Sequence, residues 1–186
     1  MKKIVLVFTL FLTVWQLTAQ DFGFGVKGGI NVASIGGNTY TGLGGLTSKV
    51  SFHLGGVVEI PFSDKIAVQP ELLYSSQGSS WDFGTGDSNL KLDYINVPVM
   101  GKYYIFKGLS AEAGPLVGFL IASNEDDDDR FKKLDVGIAI GASYRLNENI
   151  FFGLRYNKGI ANINGEDFND LKSQNNVFQI FAGYSF

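Results

Sequence analysis

Asn176-Val177-Phe178-Gln179-Ile180-Phe181-Ala182-Gly183-Tyr184-Ser185-Phe186 is the stretch whose reading decides the fold. Phe178, Ile180, Ala182, Tyr184 and Phe186 share one face, while Gln179, Phe181, Gly183 and Ser185 share the other. That is the period-two alternation of a strand. A soluble domain rarely leaves so apolar a strand bare at an edge, because its unpaired backbone is a template for aggregation. A closed barrel in a membrane instead pairs its last strand with its first.

Working outward from this tail, seven further stretches alternate in the same way, over residues 22–33, 50–61, 66–76, 90–105, 109–122, 134–146 and 150–160. In the first, Phe22, Phe24, Val26, Ile30 and Val32 oppose Gly23, Gly25, Lys27, Gly29 and Asn31. The fourth is less regular: Leu90 and Leu92 are out of phase with Ile95, Val97 and Val99, so a bulge or ragged start is expected near Asp93. Between the stretches, residues 62–65, 106–108 and 147–149 are short connections rich in Ser, Asp, Asn and Gly. Residues 34–49, 77–89, 123–133 and 161–175 are long and polar. Alternation of short turns with long loops is the asymmetry of a membrane barrel.

A soluble eight-stranded barrel holding one small ligand is the main rival, and a two-sheet sandwich is another. Alternation alone fits all of these. The soluble barrel needs a polar outside, whereas here one face of nearly every stretch is apolar and aromatic. The stretches are also longer than the ~5–6 residues of a usual soluble strand and suit the ~9–11 that cross a bilayer at a tilt. The predicted fold is an all-β, eight-stranded, antiparallel up-and-down transmembrane barrel.

Composition agrees. The chain has 24 Gly, 16 Phe and 8 Tyr, but no Cys, which excludes a disulfide framework and thiolate metal sites. Lys2 and Lys3, the apolar run from Ile4 to Leu12 and the small residue Ala19 predict a cleavable export signal over residues 1–20, with the barrel over 21–186. Without residues 1–20 the chain keeps 13 of its 15 basic residues and all 18 acidic ones, a formal charge of −5 that offers no nucleic-acid surface.

The polar face becomes the lumen. It carries Lys27, Lys102, Arg145 and Arg155 against Glu59, Glu71, Glu112 and Asp135, four charges of each sign. Side chains fill a barrel of this size, and buried charges must be paired and hydrogen-bonded. The expectation is an internal ion-pair network joined by His53, Gln69, Asn96, Asn157 and Gln179.

Four segments carry a family resemblance. Residues 22–31 contain Gly25-Val26-Lys27-Gly28-Gly29-Ile30-Asn31, and residues 92–103 contain Tyr94, Pro98, Lys102 and Tyr103 in sequence. Gly114-Pro115-Leu116-Val117-Gly118 and Arg155-Tyr156-Asn157-Lys158-Gly159 follow. In order and spacing they resemble the PorT-like outer-membrane β-barrel family across residues 21–186. The resemblance implies an eight-stranded barrel in the outer membrane of a Gram-negative cell, with outer-membrane lipid as surroundings and no catalytic residues; no cofactor is expected. Phe186 looks like the terminal aromatic signal read by barrel-assembly machinery. The function expected is a structural or interaction role, through four long outer loops that meet envelope or surface proteins. The alternative is a part in a secretion or transport complex.

Other chemistry is weaker. Glu125, Asp126, Asp127, Asp128 and Asp129 supply hard oxygens for Ca²⁺. They lack the glycine and distal glutamate of a calcium loop, and read as a solvated acidic tip. His53 is the only histidine, too few for a zinc cluster. A set of Ser51, His53 and Glu59 or Glu71 would need its nucleophile and histidine together on the outer face, and His53 falls on the inner one. The glycine pairs lack the following helix and Lys-Ser/Thr of a phosphate loop.

Overall fold

The computed structural model describes residues 22–36, 46–82, 87–124, 130–165 and 172–186. The expected export signal and the acidic run 125–129 lie outside the described residues. Strands β1 (Gly23–Gly36), β2 (Leu46–Ser63), β3 (Ile66–Asp82), β4 (Asp87–Phe106), β5 (Leu109–Ser123), β6 (Leu134–Arg145), β7 (Ile150–Gly159) and β8 (Gln174–Ser185) follow one another in chain order. Each pairs antiparallel with the next, and β8 closes on β1 from Gly25↔Ser185 to Gly36↔Gln174. The tail is therefore paired on both sides, and the edge that its sequence made costly is gone.

Alternation sets the two faces. Phe24, Val26, Ile30, Leu54, Leu72, Ile138, Ile140, Leu154 and Ile180 are exposed on the outside. Aromatic pairs mark this wall: Tyr144 with Phe152 and Tyr184 with Phe186 near the short turns, and Phe52 with Tyr74 farther up, with centroids 5.5–5.6 Å apart. An outside this apolar is stable only against lipid. In lipid every backbone group must be paired within the protein, and closure achieves that.

Side-chain oxygens hold two of the short turns. Ser63 Oγ accepts from Ile66 N at 3.2 Å, and Asn147 Oδ1 accepts from Asn149 N at 2.9 Å and Ile150 N at 2.7 Å. The third turn places Gly108 at φ +88°, where a side chain is strained.

The long-loop end corrects the sequence reading. The strands run on past the apolar stretches, and β3 pairs with β4 up to Asp82↔Asp87. The second long connection thus shrinks to residues 83–86, so the barrel does not have four long loops. Above the apolar band the strands no longer need one apolar face, so the signal that sets strand boundaries fades there. The irregularity near Asp93 is real, with a register shift between Asp93 and Tyr94 in the β4–β5 ladder. It does not explain Leu90 and Leu92, however. The β3–β4 register runs unbroken from Leu73↔Asn96 to Asp82↔Asp87, and both leucines are buried on the inner face with Tyr94.

Candidate functional site: the filled lumen

Seven of the eight charged residues expected inside form one connected network. Arg155, from β7, is its hub. Its two terminal nitrogens donate to the two oxygens of Glu71 at 2.8 Å each, and Nη2 also donates to Glu112 Oε1 at 3.0 Å. Lys27 Nζ lies 2.9 Å from Glu71 Oε2 as an ion pair without an aligned hydrogen bond, and sits 4.1 Å from the Phe181 ring centre. Lys27, Glu71, Glu112 and Arg155 are each 3% exposed or less. Charges so deep are tolerable only because each faces an opposite one; a lone charge there would cost several kcal/mol, of order 3–5.

Gln69 bridges to a second cluster. Its Nε2 donates to Glu71 Oε1 at 2.7 Å, and its Oε1 accepts from Lys102 Nζ at 3.1 Å. Lys102 also donates to Glu59 Oε2 at 2.7 Å, Tyr104 donates its hydroxyl to Glu59 Oε1 at 2.7 Å, and Arg145 Nη2 reaches Glu59 at 3.0 Å. This cluster lies at the short-turn mouth, where the Arg145 side chain is 25% exposed.

Beside the Gln69 bridge, two aromatic rings lie between Arg155 and Arg145. Phe151 and Phe181 stand edge-to-face inside the barrel, with Arg155 over Phe181 and Arg145 over Phe151. Glycines on neighbouring strands make room for them. A Cβ at Gly183 would collide with the Phe151 ring, and one at Gly153 with the Phe181 ring. Large and small side chains thus alternate across the lumen, as a narrow barrel requires.

Above the network the chemistry changes. Asn31 accepts from His53 Nδ1 at 2.8 Å and from Gln179 Nε2 at 2.9 Å, and donates to Ser76 O at 2.7 Å. His53 and Gln179 therefore join one another through Asn31, and among the described residues no hydrogen bond ties them to the ion pairs. Asn96 and Asn157 are buried inside but join none of these bonds. Asp135 departs from the expected network. It accepts from Asn175 Nδ2 at 2.8 Å, its Oδ1 has no hydrogen-bond partner, and none of the described ion pairs includes it.

Over Asp135 lies an apolar cap of Ile35, Leu90, Leu92, Tyr94, Phe131 and Ile163. Phe131 and Ile163 come from connecting segments, not strands. Lys132 N donates to Ile163 O and Gly165 N to Arg130 O, both at 2.8 Å, which clips the two segments together across the mouth. Sequence reasoning missed this cap; the out-of-phase Leu90 and Leu92 were its one visible trace. Phe186 is 78% exposed, and its N donates to Phe24 O at 2.8 Å. Among the described residues, no group of three or more acidic, His or Cys side chains is placed to hold a metal.

Comparison with known proteins fits this geometry. The solved structure of Neisserial surface protein A superposes with a TM-score of 0.55 at 13% identity, covering 88% of this chain and 97% of that one. The attachment invasion locus protein Ail of Yersinia pestis gives 0.50 at 13% identity, covering 89% and 99%. Ail in complex with the heparin analogue sucrose octasulfate gives 0.52 at 12% identity, with the same coverage. At such identities the likeness is one of fold. None of the curated proteins compared with this chain matches it. Residues 18–165 match the outer membrane protein beta-barrel domain, and with a closed eight-stranded wall that is apolar outside, this chain belongs to that family and to the outer membrane of Gram-negative cells.

Proposed function

We propose that this barrel conducts no solute and catalyses no reaction, and that it works through the segments at its long-loop end, which meet an envelope or surface partner. The observation that carries this reading is the packing of the lumen, with Arg155, Glu71 and Lys27 in its middle and Phe131 and Ile163 over its outer mouth. A diffusion pore needs a continuous wet path, and these side chains occupy it.

Removal of residues 123–133 tests the role of the loops. The partner recovered with the full chain from native outer membranes is lost, while secretion of other proteins continues. Loss of secretion with the partner retained would favour the second reading, a component of a secretion complex. Export through residues 1–20 and recognition of Phe186 during assembly belong to the same proposal. Deleting Phe186 lowers insertion more than it lowers the stability of barrel already folded; unchanged membrane levels would contradict it.

A further inference from the structure

The short-turn end carries a feature that the packed lumen does not use. The β2–β3 turn and the β4–β5 turn are tied together by Tyr104 N donating to Lys65 O at 2.8 Å. Between them opens a cavity of about 780 Å³, whose lining includes Lys65, Lys107 and Arg145 against Glu59 and Asp64. Lys107 and Arg145 also line a neighbouring cavity of about 560 Å³, so the two make one trough across this end. The Glu59 carboxylate is already shared by Lys102, Tyr104 and Arg145. Lys102 pairs with Glu59 from inside the barrel, so across the trough Lys65, Lys107, Arg145 and Lys102 face Glu59, Asp64 and Glu148, and positive charge is in excess by one.

The rim is apolar where the floor is charged. Phe62 and Phe106 line the same cavity and are 53% and 61% exposed. They continue into the lipid-facing wall through Ile66 and Tyr103, which are also exposed. A small soluble anion would satisfy the cations and leave these rings in water. A molecule with an anionic head and hydrocarbon tails satisfies both.

We propose that this trough is a binding site for one anionic phospholipid. Its phosphate is held by Lys65, Lys107 and Arg145, and its acyl chains lie along Phe62 and Phe106. Such a site fixes the depth of the barrel at the periplasmic interface, where short turns emerge, and basic residues near a lipid surface favour anionic heads.

Native mass spectrometry of the full folded protein, released from micelles containing equal phosphatidylglycerol and phosphatidylcholine, tests this. The expected result is retention of one phosphatidylglycerol in preference to phosphatidylcholine. Lys65→Ala with Lys107→Ala cuts that preference roughly twenty-five-fold, at about fivefold per lysine, while Lys133→Ala at the opposite end leaves it intact. Heat-resistant gel migration checks that each variant is folded. If the double variant does not fold, Lys65→Gln and Lys107→Gln singly each give about a fivefold loss. Equal retention of both lipids by the unmodified protein overturns the proposal, as does a preference that survives the lysine changes. Displacement of the lipid by an equal concentration of soluble glycerol phosphate also overturns it, because the apolar rim would then contribute nothing.

Discussion

From its middle to the short-turn end, the lumen is filled by long charged side chains that bond to one another; at the long-loop end, it is filled by Ile35, Leu90, Leu92, Phe131 and Ile163. On the proposed reading both fillings exclude a continuous water path, yet they depend on different things. The ionic part needs every partner, because removing one strands another in a dry place. The apolar part needs only volume, and it tolerates an unpaired carboxylate, Asp135, just beneath it. The ionic half is therefore brittle to single substitutions, and the capped half yields gradually.

The largest effect falls on the hub. Arg155→Leu leaves Glu112 without its cation and Glu71 with Lys27 alone. It lowers the unfolding free energy by about 3–5 kcal/mol, read from urea titration of the folded protein in lipid vesicles. A loss below about 1 kcal/mol, typical of exposed pairs, would mean that the carboxylates are solvated and the two halves alike.

Phe131→Ala comes next, at about 2–3 kcal/mol. That is below the ~3–5 of a full core position, since the connecting segments can settle into the gap. Amide exchange quickens around Tyr94 and Ile163, while Arg155 and its partners stay protected. Equal quickening in both halves would show that the cap and the network form one cooperative unit.

Lys102→Met costs less, about 1–2 kcal/mol, because Glu59 keeps Arg145 and Tyr104. A loss as large as that of Arg155→Leu would make Lys102 a second hub.

The smallest effect has the opposite sign. Asp135→Asn removes a buried charge that has no cation among the described residues and keeps an acceptor for Asn175. Stability is unchanged or rises by up to about 1 kcal/mol. The same exchange at Glu71 destabilises by at least about 2 kcal/mol. Matching losses at the two sites would erase the distinction between the paired and the unpaired end.

Much of the ionic half was legible in the sequence. Lys27, Glu71, Lys102, Glu112 and Arg155 lie on strands, and a period of two puts each on the inner face before any coordinates exist. Their partners were not legible, because pairing across the lumen depends on strand tilt and side-chain reach. Arg155 meets Glu71 from 84 positions away. Asp135 shares the inner face but sits too far along its strand to reach the cations, a distance that alternation does not encode. The cap was hidden for another reason. Phe131 and Ile163 stand in segments whose polarity marks them as loops, and a single apolar residue in a loop carries no period. Leu90 and Leu92 looked like a phase error, when they were apolar residues pointing inward.

The central claim is that these side chains close the lumen, and planar-bilayer recording of the purified monomer tests it most directly. The barrel inserts and passes no steady current above the bare membrane. Large, stable open-channel currents from the pure monomer would contradict the account.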